Sequence, residues 1–367
     1  MKNTIGFDVG TGNLVCAKFS DDTTMEFYSM RNMFFPVSVG DITAADIAED
    51  KLDYVEVKDY DGEIEMVCIV GEDAYKWCNI FDKETRRPMQ KGVLSSQDVD
   101  AVDVVTAMIS KLVGGKTEDG YCIYSIPAQA VDVDIPPVLY HEKVFGKIFK
   151  ALGYKTKPMN EGMSIIFSEC AKESFTGIAI SFGAGLTNVA CSYKGVPVLT
   201  FAVSRGGDWI DQSVSQSLNK IPSRITKIKE SPDFNLLEPR RGNKREVKIR
   251  EAVAVYYENL ISYVLNVFTS EFDKHADGLN IDDDIPIIIS GGTSLANGFL
   301  EFFKQVFDEY KDDFPYEVSE IRLASDQLNA VAKGNLVYAM WEQSKGNKKD
   351  ENTEKKSGRK PKLKEDS

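Results

Sequence analysis

Histidine is almost missing from this chain: its 367 residues contain two, His141 and His275. Neither has a cysteine or carboxylate at metal-ligand spacing, so both read as surface residues and histidine-dependent catalysis is set aside. The six cysteines, Cys16, Cys68, Cys78, Cys122, Cys170 and Cys191, stand singly with no C-x-x-C pair. That pattern suggests neither a disulfide framework nor a zinc site. Long apolar runs are missing too. The longest, such as residues 286–289, fall far short of the ~20 residues of a membrane helix. The N-terminus enters a strand-like run with no signal-peptide core. The expectation is a soluble cytoplasmic protein without a direct membrane anchor.

What is present describes a folded, acidic protein. The chain is 43% hydrophobic and 28% charged, which excludes disordered and collagen-like classes. At roughly 150 residues per domain its length predicts two or three domains. The formal net charge of −13 argues against general nucleic-acid binding by the body. The last 23 residues carry nine Lys or Arg against five Asp or Glu, a balance of +4 that leaves −17 on the rest. They hold one large apolar side chain, Leu363, too little for a core, so 344–367 reads as a disordered charged tail.

Along the chain, residues 3–9 and 14–19 read as a hairpin around a glycine-rich turn. Strand-like pieces follow at 54–57 and 65–70. Apolar spacing over 97–112 predicts a helix ending at Gly114. A strand at 121–126 and an amphipathic helix at 140–152 come next. Met33, Phe34 and Phe35 read as a buried strand start rather than a membrane patch. The second half restarts with a strand at 177–181, then 188–193 and 196–203. Val253, Tyr257, Leu260, Ile261, Val264, Leu265 and Phe268 mark a long helix with a buried face. A strand at 285–290 and a Phe-rich helix at 299–310 complete the series. A strand–glycine turn–strand unit thus occurs twice, about 170 residues apart, and two copies of one α/β module facing a cleft are expected.

Three turns could hold phosphate or a flat ligand. The first, Asp8-Val9-Gly10-Thr11-Gly12-Asn13, lets backbone N–H groups converge on an anion, with Asp8 placed for a hydrated cation. Alone, it reads first as a hairpin whose glycines supply positive φ, with Asp8 as a turn residue. The second runs from Ser181 to Asn188. The third, Ser290-Gly291-Gly292-Thr293-Ser294, joins a hydrophobic strand to a helix start. As an ordered set they are more specific than any one.

In that order the turns resemble the nucleotide site of the actin, DnaK-type chaperone and sugar-kinase superfamily. Residues 5–11 resemble its first phosphate motif, 158–164 the first connecting motif and 181–188 the second phosphate motif. Residues 287–298 resemble the adenosine motif, and 329–334 the second connecting motif. Arg87-Pro88-Met89-Gln90-Lys91-Gly92-Val93 and Ser204-Arg205-Gly206-Gly207-Asp208 resemble segments of bacterial actins of the MreB and MamK type. The resemblance implies an α/β, actin-like fold: two similar RNase H-like domains facing a nucleotide cleft, each with a smaller inserted subdomain. Domain I would be 1–155 plus 325–343, its small subdomain 32–92. Domain II would be 156–324, its small subdomain 205–272.

By position, the resemblance also implies roles. Asp8 would hold Mg²⁺ through water, and Gly10, Thr11, Gly12 and Asn13 would contact phosphates. Glu161 would orient the attacking water. Ser181, Gly183, Ala184, Gly185 and Thr187 would clamp phosphates from the opposite side. Gly206, Gly207, Gly291, Gly292 and Thr293 would line the nucleoside, beside Lys229 and Glu230. Such chemistry needs positioning and charge stabilisation rather than histidine. Two departures stand out. Ser181 occupies a place usually held by aspartate, which leaves the metal site one carboxylate short. Gly162 replaces a usual proline and would loosen the backbone beside Glu161, itself also readable as a favourable first-turn charge.

The function implied is an ATP- and Mg²⁺-binding filament protein that hydrolyses ATP slowly to ADP. The alternative is a non-polymerising ATP-binding scaffold of the same fold. The partner would be a second copy of the chain. An adaptor or cargo could meet the basic tail, whose residues 358–362 resemble an AT-hook core and would touch nucleic acid only weakly.

Overall fold

Alternating apolar residues on either side of the first glycine turn form the hairpin β1 (Thr4–Val9) and β2 (Asn13–Phe19), extended by β3 (Met25–Arg31). The computed structural model describes residues 3–21, 23–37, 51–59, 61–80, 86–133, 138–275 and 284–357, without the side chains of 79–80, 275 and 345–357. β4 (Phe34–Val37), β5 (Tyr54–Lys58) and β6 (Ile64–Val70) make a small antiparallel sheet in the order β4-β6-β5, followed by α1 (Gly71–Ile80). Met33 and Phe34 are buried there, as expected. The short pair β7 (Met89–Gln90) and β8 (Val93–Leu94) leads to α2 (Ala101–Val113), β9 (Gly120–Ile126), α3 (Val138–Ala151), β10 (Tyr154–Asn160) and α4 (Glu161–Glu169). α2 ends where the sequence places it, on Gly114 in the left-handed conformation at φ 88°.

The second half repeats the plan. β11 (Gly177–Phe182), β12 (Thr187–Tyr193) and β13 (Val196–Val203) precede the helices α5 (Gly207–Leu218), α6 (Pro222–Lys229) and α7 (Val247–His275). Then come β14 (Ile285–Ser290), α8 (Phe299–Phe307), β15 (Val318–Leu323) and α9 (Ala330–Ser357). The two large sheets have the orders β10-β9-β1-β2-β3 and β15-β14-β11-β12-β13. In each, the first strand runs antiparallel to the second and parallel to the fourth. The parallel crossovers need helices, supplied by α3 in one copy and α8 in the other. The two large sheets are thus topological duplicates.

The helices that follow the two sheets sit between them. α4 lays Met163, Ile165 and Ile166 against Ala179, Ala190 and Ile288 of the second sheet. α9 lays Ala332 and Leu336 against Val15 and Ala17 of the first. Their crossing is so close that a Cβ on Gly334 would collide with the Ser164 carbonyl, and one on Gly6 with Ala332 and Leu336 of α9. Gly162 is fixed in the same way: a Cβ there would lie 2.6 Å from that of Ala190. The expectation that Gly162 loosens the backbone is therefore corrected. It lets α4 touch β12.

Two other expectations change. α9 continues through 345–357, inside the segment read as a disordered tail. A helix nucleated on apolar residues propagates through Lys- and Glu-rich sequence at little cost. The AT-hook-like residues 358–362 lie outside the described residues, as does the side chain of His275. His141 is not on the surface. It is buried on α3, its Nδ1 accepting from the Leu94 N–H at 3.2 Å and its ring 4.5 Å from that of Phe145. Among the described residues no helix is long and apolar enough to cross a membrane.

Burial lowers the His141 pKa to about 3, so the folded chain holds it neutral while the unfolded chain protonates near pH 6.5. Its contribution is complete above pH 6.5 and is lost as pH falls toward 3, by about 2 kcal/mol at pH 5. Thermal melts should show the parent losing more stability than His141→Gln between pH 7 and 5. Parallel curves would contradict this.

Candidate functional site

Between the two sheets lies a cavity of about 800 Å³, a size suited to a small-molecule ligand. The β1–β2 and β11–β12 turns meet across it. A Cβ on Gly12 would stand 3.1 Å from that of Ala184, and one on Gly185 would stand 2.9 Å from Thr11 Oγ1. None of Gly10, Gly12, Gly183 and Gly185 has a positive φ. Positive φ therefore does not explain these glycines: a Cβ on Gly10 or Gly183 would meet the Asn13 or Leu186 carbonyl of its own turn, and one on Gly12 or Gly185 would press on the facing turn. Asn32, fully buried, holds the first turn by donating from Nδ2 to the Gly10 carbonyl and from its backbone N–H to that of Gly12, both at 2.9 Å.

The second and third turns form one unit with α5. Gly207 and Asp208 at the helix start donate their N–H groups to the Gly183 and Ala184 carbonyls at 3.0 and 2.9 Å. Thr293 Oγ1 donates to the Gly183 carbonyl at 2.8 Å. Gly291, at φ 93°, has its Cα against the Phe182 backbone, with no room for a Cβ.

Two of the carboxylates that line the cavity, Asp8 and Glu161, are held by neutral donors. Asp8 accepts from Ser125 Oγ at 2.8 Å, and that oxygen accepts from the Val9 N–H. Glu161 opens α4 behind the cap Asn160, whose Oδ1 accepts from the Met163 N–H at 3.2 Å. Its Oε1 accepts from Ser181 Oγ at 2.7 Å and its Oε2 from Asn188 Nδ2 at 2.9 Å. Each carboxylate is open to the cavity and otherwise enclosed. Burial raises the pKa of both; the charge of Asp8 raises Glu161 further, while the Ser125 and Ser181 hydrogen bonds pull the other way. Their hydrogen-bond donors are neutral, and the described residues contain no cluster of three His, Cys, Asp or Glu.

Charged groups also bridge the cavity. Arg87 Nη1 donates to both oxygens of Asp208 at 3.0 and 2.9 Å. Arg31 joins Glu72 at 2.8 Å and Glu230 at 2.6 Å. Lys229 is buried with Asp211 at 2.8 Å and donates to the Gly207 carbonyl at 2.9 Å. Burial raises the Asp211 pKa and Lys229 opposes the rise.

The structure therefore gathers at one cavity Asp8, Gly10, Thr11, Gly12, Asn13, Glu161, Ser181, Gly183, Ala184, Gly185, Gly207, Lys229, Glu230, Gly291, Gly292 and Thr293. Thr187 and Gly206 are not among its lining. Thr187 is fully buried and donates to the Arg205 carbonyl at 2.8 Å. A Cβ on Gly206 would lie 2.6 Å from the Gly183 and Ala184 carbonyls, so this residue supports the second turn from behind. Sequence reasoning missed Asn32, Ser125 and the two arginine bridges. Arg87 and Asp208 lay inside quoted motifs, but nothing local joined them.

A family model described as Volactin matches residues 3–339. Among solved structures, MreB 5 of Spiroplasma citri bound to AMPPNP is 12% identical, with a TM-score of 0.62 over 96% of this chain and 99% of that one. A MamK double helical filament is 13% identical, with a TM-score of 0.61 over 92% and 98%. The ethanolamine utilization protein EutJ from Carboxydothermus hydrogenoformans is 16% identical, with a TM-score of 0.50 over 91% and 89%. A search of curated proteins finds no match. With its two duplicate sheets, facing glycine turns and family match over residues 3–339, the chain belongs to the Volactin family and has the actin-like fold.

Proposed function

We propose that the cavity binds ATP with Mg²⁺ and that the nucleotide-bound chain assembles head to tail into filaments, hydrolysing ATP slowly. The observation that carries this reading is the tip-to-tip meeting of Gly12 and Gly185 with Ala184 and Thr11 above two enclosed carboxylates. Backbone at such turns binds phosphate without the clash that side chains would bring. Asp8 and Glu161, enclosed with only neutral donors, favour a cation brought in with the phosphates. Asp8 would hold its water shell, and Mg²⁺ would offset phosphate charge. The turn between Gly291 and Thr293 with Gly207, Lys229 and Glu230 would flank the nucleoside. Glu161 would accept a hydrogen bond from the water attacking the terminal phosphorus, the bond to the leaving phosphate breaking as the new one forms.

Similar structures include one bound to AMPPNP and one described as a double helical filament, which supports both halves of the reading. Contacts that repeat head to tail without closing produce filaments. The basic tail would serve an adaptor or cargo. A cytoplasmic setting is consistent with six free cysteines. A non-polymerising ATP-binding scaffold is the second reading, favoured by Ser181: it adds no negative charge to the metal side.

Pelleting and negative-stain microscopy in Mg-ATP, in Mg-ADP and without nucleotide, with phosphate release followed in parallel, test the proposal. Filaments that require Mg-ATP, with slow release, are expected. Nucleotide binding by a chain that stays monomeric at every concentration would favour the scaffold.

A second expectation concerns charge. A carboxyl whose folded pKa is raised costs stability as pH climbs above its unfolded value near 4. Asp8→Asn should therefore stabilise the nucleotide-free chain at pH 8 by about 1–2 kcal/mol, the gain fading toward pH 4, while weakening Mg-ATP binding. Equal melting temperatures of parent and variant at pH 8 would contradict it.

A further inference from the structure

The carboxylate of Glu161 is held at both oxygens by two buried side chains that face each other across the β11–β12 pair, Ser181 opposite Asn188. The direction of the Asn188 amide is settled by a third group. Its Oδ1 accepts from the Ala128 N–H at 2.9 Å, and a backbone N–H can only donate. Nδ2 therefore points at Glu161 Oε2 as a fixed donor. That leaves Oε1 to Ser181, whose hydroxyl donates at 2.7 Å.

The backbone of Glu161 has equally little freedom. Asn160 caps the helix on one side, and Gly162 is pressed on Ala190 of β12 on the other. The charged neighbours are few. β9, β11, β12 and β14 carry no Asp, Glu, Lys or Arg. Lys155 and Lys157 of β10 are exposed, Lys157 pairing with Glu342 of α9, while Lys333 of α9 pairs with Glu169. Among the described residues, Asp8 is the charged neighbour whose field raises the Glu161 carboxyl. Among the described residues the side chains that donate to its carboxylate are neutral, so its orientation depends on them.

We infer that Ser181 and Asn188 are a positioning pair for Glu161, and that the serine at position 181 is matched to the glutamate rather than being a weakened metal ligand. The inference rests on the reading of Glu161 as the group that orients water. It reverses the simplest expectation about this site. Restoring the usual aspartate at 181 would replace a donor with a second carboxylate against Oε1, beside Asp8. Glu161 would be pushed out of its place, and hydrolysis would fall instead of rising. Threonine keeps the hydroxyl and would keep the orientation.

The test compares the parent with Ser181→Thr, Ser181→Ala, Ser181→Asp and Glu161→Gln. Mg-ATP binding by a fluorescent analogue and steady-state phosphate release are measured on each full-length chain. The expected result is a fall in kcat of about tenfold or more for Ser181→Ala, and more for Ser181→Asp. KM should be nearly unchanged, and Ser181→Thr should lie near the parent. A second readout needs no turnover. The side-chain carboxyl ¹³C resonance of Glu161 in the nucleotide-free protein, assigned by its loss in Glu161→Gln, should move in Ser181→Ala and Ser181→Asp but not in Ser181→Thr. If Ser181→Asp is as fast as the parent or faster, or if the Glu161 resonance is unmoved by loss of the hydroxyl, the positioning role is overturned. If Glu161→Gln hydrolyses at the parent rate, the reading of Glu161 itself fails. That outcome is separate from the resonance shift, which reports the contact directly.

Discussion

The crossing of α4 and α9 is the constraint on which the rest of the molecule depends. Each helix follows one sheet in the chain, and the pair packs in the gap between the two sheets, with the glycine contacts at Gly6, Gly162 and Gly334 setting the distance. A buried polar link fixes their register: Ser164 Oγ donates to Asn335 Oδ1 at 2.6 Å, and Asn335 Nδ2 donates to the Phe7 carbonyl at 2.9 Å. A buried network of this kind is stabilising only when its members are paired, and here helix α4, helix α9 and strand β1 are tied through one asparagine. Phe7 adjoins Asp8, and Ser164 lies one helical turn from Glu161. The link that joins the domains thus also sets the spacing of the two carboxylates.

From this crossing the cavity follows. Duplicate sheets presented by a shared pair of helices bring their first hairpin turns face to face. The turns touch because glycine occupies the contact positions. The cavity walls then carry charge in an unusual distribution. Its cations, Arg31, Arg87 and Lys229, are each committed to carboxylates, whereas the two carboxylates at its floor have none. The proposed ligand, bringing both negative phosphates and a divalent cation, would resolve that imbalance. The arginine bridges span from β3 and the segment before β7 to the ends of α6 and α5, so the proposed ligand, entering between them, would compete with them.

Much of the fold was legible because hydrophobic periodicity is a local signal. The hairpins, the Ile285–Ser290 strand and the buried face of α7 are read from runs of 6 to 29 residues. The duplication was legible because the same glycine-turn unit recurs. Helix α2 starts at Ala101 rather than 97 because Asp98 and Asp100 turn toward Arg86, with Oδ atoms at 2.5 and 2.7 Å from its guanidinium. His141 was misread because a lone histidine has no periodic partner to announce its burial. At the site, the residues that could touch a ligand were legible through their motifs. Those that hold them were not: Ser125 reaches Asp8 from 117 positions away, and Asn188 acquires its direction from Ala128, 60 positions away. Gly162 was seen as looseness because its neighbour Ala190 lies on β12, distant in sequence.

The central claim is that the two glycine turns act together as one ligand site. Hydrogen–deuterium exchange of the full chain, read by mass spectrometry with and without Mg-ATP, tests it most directly. Peptides covering 8–13 and 183–188 should slow together on adding Mg-ATP, with 205–211 and 290–294 following, and should not respond to Mg²⁺ alone. Unchanged exchange in both turns, or slowing confined to one of them, would contradict the account.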